Sequence, residues 1–131
     1  MSNSTITTAG AALIAQKMAN HQVLNIDEFV FADIPGLDPD QMPLPTTVMP
    51  EAAYIVWQGD VQQRGLNGAD TVIYSKILDA ATGDFYINWI GLYSSEDNVL
   101  VAVCHVPRHL KFATAGTRLG NILCKNFALQ I

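Results

Sequence analysis

The stretch Gly83 to Pro107, GDFYINWIGLYSSEDNVLVAVCHVP, constrains this chain more than any other. Two apolar, aromatic-rich runs flank a polar break at Ser94-Ser95-Glu96-Asp97-Asn98. Such runs read as paired β-strands joined by a turn. From Val99 to Val106 both alternating faces are apolar, which predicts a strand inside a sheet, covered on both sides. No general base, nucleophile or metal cluster stands out in it. The stretch is built to pack and to join.

The rest of the chain extends the β pattern. Val23 to Phe31, Tyr54 to Gln62, Val72 to Leu78, Phe85 to Tyr93, Leu100 to Val106 and Ile122 to Ile131 read as strands, with a short run at His109 to Ala113. Breaks are expected at Gly65-Leu66-Asn67-Gly68 and at Asp79 to Gly83. Leu123, Phe127, Leu129 and Ile131 share one face of the last strand. Antiparallel hairpins follow from the spacing, and there is no βαβ alternation.

Ahead of the strands, residues 1 to 5 are polar and predicted to fray. Ile6, Gly10, Leu13, Ile14, Lys17, Met18 and His21 then follow helical spacing, which predicts a helix from about Thr7 to Asn20, capped by Thr5, Thr7 or Thr8. Its other face, Ala9, Ala12, Ala15 and Ala19, is small and uncharged. Such a helix docks on its own domain or also meets a second chain. The fold class expected is α+β: an N-terminal helix packed beside an antiparallel sheet or sandwich, in one domain over residues 1–131.

Asp33 to Pro50 holds five of the six prolines. Proline fixes φ and removes a backbone donor, so this is a long irregular connection that wraps a surface or serves a function.

Half of the residues are hydrophobic and 15% are charged, so the surface is weakly charged and suited to being covered by other subunits. A net charge of −5 with seven Lys and Arg leaves no basic stripe for nucleic acid or for an anionic membrane. No apolar run approaches the roughly 20 residues of a membrane span, and the N-terminus lacks the positive start of a secretory signal.

Candidate chemistry is sparse. Cys104 and His105 are neighbours on a strand and point to opposite faces, so they form no nucleophile–base pair. Cys104 and Cys124 read as reduced thiols, able to bridge only if their strands are neighbours. His105 and His109 are four apart, but Pro107 lies between them and no further metal ligand is evident. Asp27, Glu28 and Asp84 read as solvated carboxylates, and Gly116-x-x-x-Gly120 as turn glycines. Trp57, Trp89 and Tyr93 are candidates for a sugar-stacking platform, although Trp89 and Tyr93 are expected to share a face with Ile87, which favours burial. No catalytic residue, cofactor or metal is expected.

From Asp27 to Pro39, DEFVFADIPGLDP, the chain resembles the N-terminal domain of phage tail-collar fibre proteins. The similarity continues at Gly83 to Leu92, GDFYINWIGL, at His105-Val106-Pro107, at Lys111 to Gly116, and at Gly120-Asn121-Ile122-Leu123 with Phe127. The helix position and the approach Pro50-Glu51-Ala52-Ala53 also fit. The resemblance implies a non-enzymatic virion component that anchors a tail fibre to a phage baseplate. It implies baseplate or other tail proteins as partners, a homotrimer in the intact fibre, and assembly into the tail after synthesis in the bacterial cytoplasm. A full fibre continues into a shaft and tip, so a chain ending at Ile131 is expected to be an excised domain or a short relative. A glycan-binding module is the alternative. Leu13, Ile14 and Met18 of the helix, with Pro35, Leu37, Pro43 and Leu44 of the proline-rich segment, are the expected contact residues, because interface cores are depleted of charge.

Overall fold

The computed structural model describes residues 3–22, 24–66 and 71–130. Along the chain run β1 (Asn3–Ile6), α1 (Thr8–Ala19), β2 (Glu28–Ala32), β3 (Ile55–Asp60), β4 (Gln63–Leu66), β5 (Thr71–Leu78), β6 (Phe85–Ser94), β7 (Val99–Lys111) and β8 (Leu123–Gln130). They form a five-stranded sheet, β1-β7-β6-β2-β3, and a three-stranded sheet, β4-β5-β8. Every pairing between these strands is antiparallel.

The fold is therefore mainly β, and the α+β expectation is corrected. Helix α1 is the one helix among the described residues, and it buries only Gly10 and Leu13. Its start is set by local chemistry. Thr7 is the N-cap, and its Oγ1 accepts from Gly10 N at 2.8 Å. The same hydroxyl donates to Leu100 O at 2.5 Å, and Thr7 N donates to Val101 O at 2.9 Å. Gly10 is needed where helix and strand meet, since a Cβ there would stand 2.3 Å from Val101 O.

One sheet face fills the space between the sheets. Phe29, Phe31, Ile90, Leu92, Val101 and Cys104 meet Tyr74, Leu78, Phe127 and Leu129 of the small sheet. Phe29 and Phe31 stack at 5.7 Å, and Trp57 tilts against Phe31 at 5.4 Å. The opposite face of the large sheet holds a second cluster, Val30, Ala32, Trp89, Leu100 and Val103, over which Ile34, Leu37 and Met49 of the proline-rich segment pack. Leu100 to Cys104 are all buried, as a strand covered on both sides requires.

Four local expectations are corrected. Residues expected to fray include Asn3 to Thr5, which belong to β1 at the sheet edge. The runs Leu100–Val106 and His109–Ala113 are mostly one strand, because β7 continues through Pro107 to Lys111. Pro107 is tolerated because the β6–β7 register shifts between Ile87 and Trp89, and β1 pairs only as far as His105. That irregularity also places Ile87 on the face opposite to Trp89, against the shared face expected. Gly65 lies within β4 rather than in a break. The expectations for Val23, Asn67, Gly68 and Ile131 lie outside the described residues.

Candidate functional site

The proline-rich segment is a strap fastened to the outer face of the large sheet at successive points. At its start, Asn88 is buried on β6 and grips one residue twice: Ile34 N donates to Asn88 Oδ1 and Asn88 Nδ2 donates to Ile34 O, each at 2.8 Å. Beside it, Arg108 of β7 donates to both Asp33 carboxylate oxygens at 2.9 Å, while its guanidinium lies 3.8 Å from the Tyr86 ring centroid. The hydrogen bond from Arg108 holds the Asp33 carboxyl below its ordinary range. Midway, the His105 ring Nδ1 bonds Gln41 O at 2.8 Å. Further along, Thr8 N donates to Pro45 O at 2.8 Å, which ties the strap to the first turn of α1 before Met49 returns to the outer cluster.

Between strap and sheet lies a surface notch of about 510 Å³, walled by Ile34, Pro35, Leu37, Val106 and Pro107 with the Asp33–Arg108 pair at its rim. Prolines supply much of that wall because they hold an extended backbone without asking for ladder hydrogen bonds. Asp33 and Arg108 neutralise one another, and they are the charged side chains in the notch lining.

A second knot joins the two sheets. Lys111 is fully buried at the end of β7 and donates to Thr82 O at 2.6 Å and Phe112 O at 3.2 Å. Asp84 accepts from Ala113 N at 2.8 Å and from Arg118 at 3.2 Å; the Ala113 amide is the larger cause that holds its pKa down. Asn121 accepts from Phe112 N and donates to Leu110 O. At Gly120 a Cβ would stand 2.3 Å from Ala80 O, so only glycine allows this close approach.

The residues singled out in the sequence are distributed as follows. Leu13 is buried in the core and Ile14 is partly buried against it, whereas Met18 is 68% exposed. Pro35 is exposed, Leu37 packs on the outer cluster, Pro43 is buried and Leu44 is 62% exposed. Met42 and Val48 extend the exposed apolar surface of the strap. Asp27, read as solvated, receives Ser95 N at 2.9 Å and Ser95 Oγ, and so holds the β6–β7 turn. Burial acts to raise its pKa, but those bonds outweigh it and bring the value below the ordinary one. Trp57 lies on the inner face and Trp89 and Tyr93 on the outer, with Trp89 buried, so the three form no common sugar platform. His105 and His109 also part company: the first meets the strap, the second bonds Pro107 O. Asn88, Arg108, Lys111 and Asn121 were not assigned roles from sequence; a signal was available only for Asn88, a short polar residue inside an otherwise apolar strand run.

Segments far apart in the chain thus converge on two places. Asp33 to Pro39, Asn88 and Val106-Pro107 build the strap anchor, and Gly83-Asp84, Lys111 to Ala113 and Gly120-Asn121 build the knot. The family model described as "Phage tail-collar fibre protein, N-terminal" matches residues 1–131. This chain belongs to that family. A relative named "Probable tail fiber protein", from Haemophilus phage HP1, is 30% identical over 127 residues, covering 97% of this chain and 14% of the relative. The chain thus spans about one seventh of the length of that relative. No solved structure matches. The tail-collar segments that carried the resemblance are, in space, the anchors of the strap and the joint between the sheets.

Proposed function

We propose that this domain is a structural part of a phage tail that attaches a tail fibre to the baseplate. Membership of the tail-collar fibre family along all of residues 1–131 carries the reading. A structural tail-fibre role follows from that family; attachment to the baseplate, a homotrimeric intact fibre and synthesis in the host cytoplasm before assembly are the finer parts of the proposal. The strap supports it physically. A long proline-rich segment held at both ends presents Pro35, Met42, Leu44 and Val48 in a fixed conformation, which lowers the entropic cost of docking. Met18 adds an exposed apolar side chain on α1, while Leu13, Ile14 and Pro43 support these surfaces from beneath.

The test is incorporation into particles. A double variant, Met18→Asp with Leu44→Asp, is expected to keep its thermal midpoint and lose incorporation or co-purification with baseplate protein. Normal incorporation of the folded double variant would remove the strap and helix from the interface. Leu13→Asp is unsuited to the test, because a carboxylate placed in the core unfolds the domain whatever its partners.

A further inference from the structure

β1 and β8 are edge strands of different sheets: among the described residues β1 pairs with β7 alone and β8 with β5 alone. They flank two adjoining clefts. One, of about 420 Å³, is bordered by Thr5, Ile6 and Leu129; the other, of about 260 Å³, by Cys104, Lys125 and Asn126. Ser4, Phe127 and Ala128 belong to both, so the sandwich is open along one seam between two strand edges.

Lys125 stands in the smaller cleft. Strand alternation puts it on the same face of β8 as Leu123, Phe127 and Leu129, which pack into the core. None of the ion pairs among the described residues includes it. His109 is near enough to feel its charge, and the buried His109 Nε2 has no hydrogen-bond partner. Because Pro107 O only accepts, His109 Nδ1 carries the proton of that bond, and Nε2 is left open. Lys76 on β5 is the cross-strand partner of Lys125, with its own ammonium turned onto the Trp57 ring at 5.2 Å, and the Cys104 and Cys124 thiols are the acidic groups that act on Lys125. Burial lowers the Lys125 pKa, and the two thiols only oppose that shift. A partly buried cation without an anion is costly, and an arriving carboxylate removes the cost.

We propose that the cleft between β1 and β8 is a carboxylate-binding site in which Lys125 Nζ receives the anion. This inference is independent of the tail-fibre reading. The carboxylate has two possible sources. An extended acidic segment added along the free edge of β1 or β8 would bring a Glu or Asp side chain there. A small free carboxylate offers the same chemistry.

The experiment is a titration of the isotopically labelled chain, followed by NMR, with sodium acetate and with N-acetyl-glutamic acid amide, each against sodium chloride of equal ionic strength. The expected result is saturable movement of the Lys125 Cε and Nζ signals and of the Ser4 and Cys104 amides. Binding should be roughly tenfold weaker in Lys125→Met and kept in Lys125→Arg, since one charge-assisted hydrogen bond is lost in the first alone. A glutamate amide that saturates well below acetate assigns the site to an acidic side chain; equal saturation assigns it to a free carboxylate. Movement that matches sodium chloride, or that is unchanged in Lys125→Met, overturns the proposal. Should Lys125→Met fail to fold, the Lys125 signals of the unaltered chain decide alone: without saturation there, the proposal fails.

Discussion

The two sheets are covered in different ways. The five-stranded sheet is buried on both faces, by the small sheet on one side and by the strap on the other. The three-stranded sheet buries one face and leaves the other exposed, with Ile77, Cys124 and Asn126 outward. Val30 and Ile77 make the contrast concrete. Each sits on the outer face of a strand with neighbours on both sides, yet Val30 is fully buried and Ile77 is 45% exposed. Two things separate them: the strap covers Val30, and Ile77 lies past the end of the β4 pairing, with Cys124 as its only ladder partner among the described residues. A segment without strands or helices of its own decides which sheet is core and which is rim.

The largest expected effect breaks the shared core. Phe31→Ala removes a ring that touches both Phe29 and Trp57, and should cost about 3–5 kcal/mol in urea unfolding. A cost under about 1 kcal/mol would mean that the sheets are not held together there. Next comes the strap anchor. Asn88→Ala strands both backbone groups of Ile34 and should cost about 2 kcal/mol, with faster hydrogen exchange along residues 34–47 than along β5. Equal exchange in the two regions would show that the strap is fastened elsewhere.

The Val30 and Ile77 pair sharpens the comparison directly. Val30→Ala should cost about 2 kcal/mol, and Ile77→Ala about 0.5 kcal/mol, if covering rather than strand position sets the cost. The smallest effect concerns protons. Burial, chiefly, depresses the folded pKa of His109 below its ordinary value. The unfolded chain therefore takes up the proton first as pH falls, so His109 contributes stability above about pH 6.5 that is lost as pH drops through that range. His109→Gln should flatten the fall in thermal midpoint between about pH 7.5 and 5.5. An identical slope in both proteins would refute this account of His109.

Strand content was legible because period-two alternation is written in neighbouring residues. The β6–β7 hairpin, the antiparallel order and the covered interior of β7 were all available from Gly83 to Pro107. So was the start of α1, since a threonine hydroxyl caps a helix using only the next turn. The fold class was missed because helical spacing over twelve residues does not tell how much of the helix a sheet will cover. The candidate contact residues were legible as apolar, but burial separated Leu13 and Pro43 from Met18 and Leu44.

By itself the sequence determined local geometry: which segments extend, where prolines forbid a ladder, and which motifs resemble tail-collar fibres. Only the tertiary structure decided that β7 runs through Pro107, that a register shift turns Ile87 away from Trp89, and that Asn88 fastens the strap. It also decided that Lys125 faces the seam between two sheet edges. The reason is range. Alternation and capping involve residues within a turn or two of one another, whereas bulges, covering and charge burial depend on partners that only folding brings near.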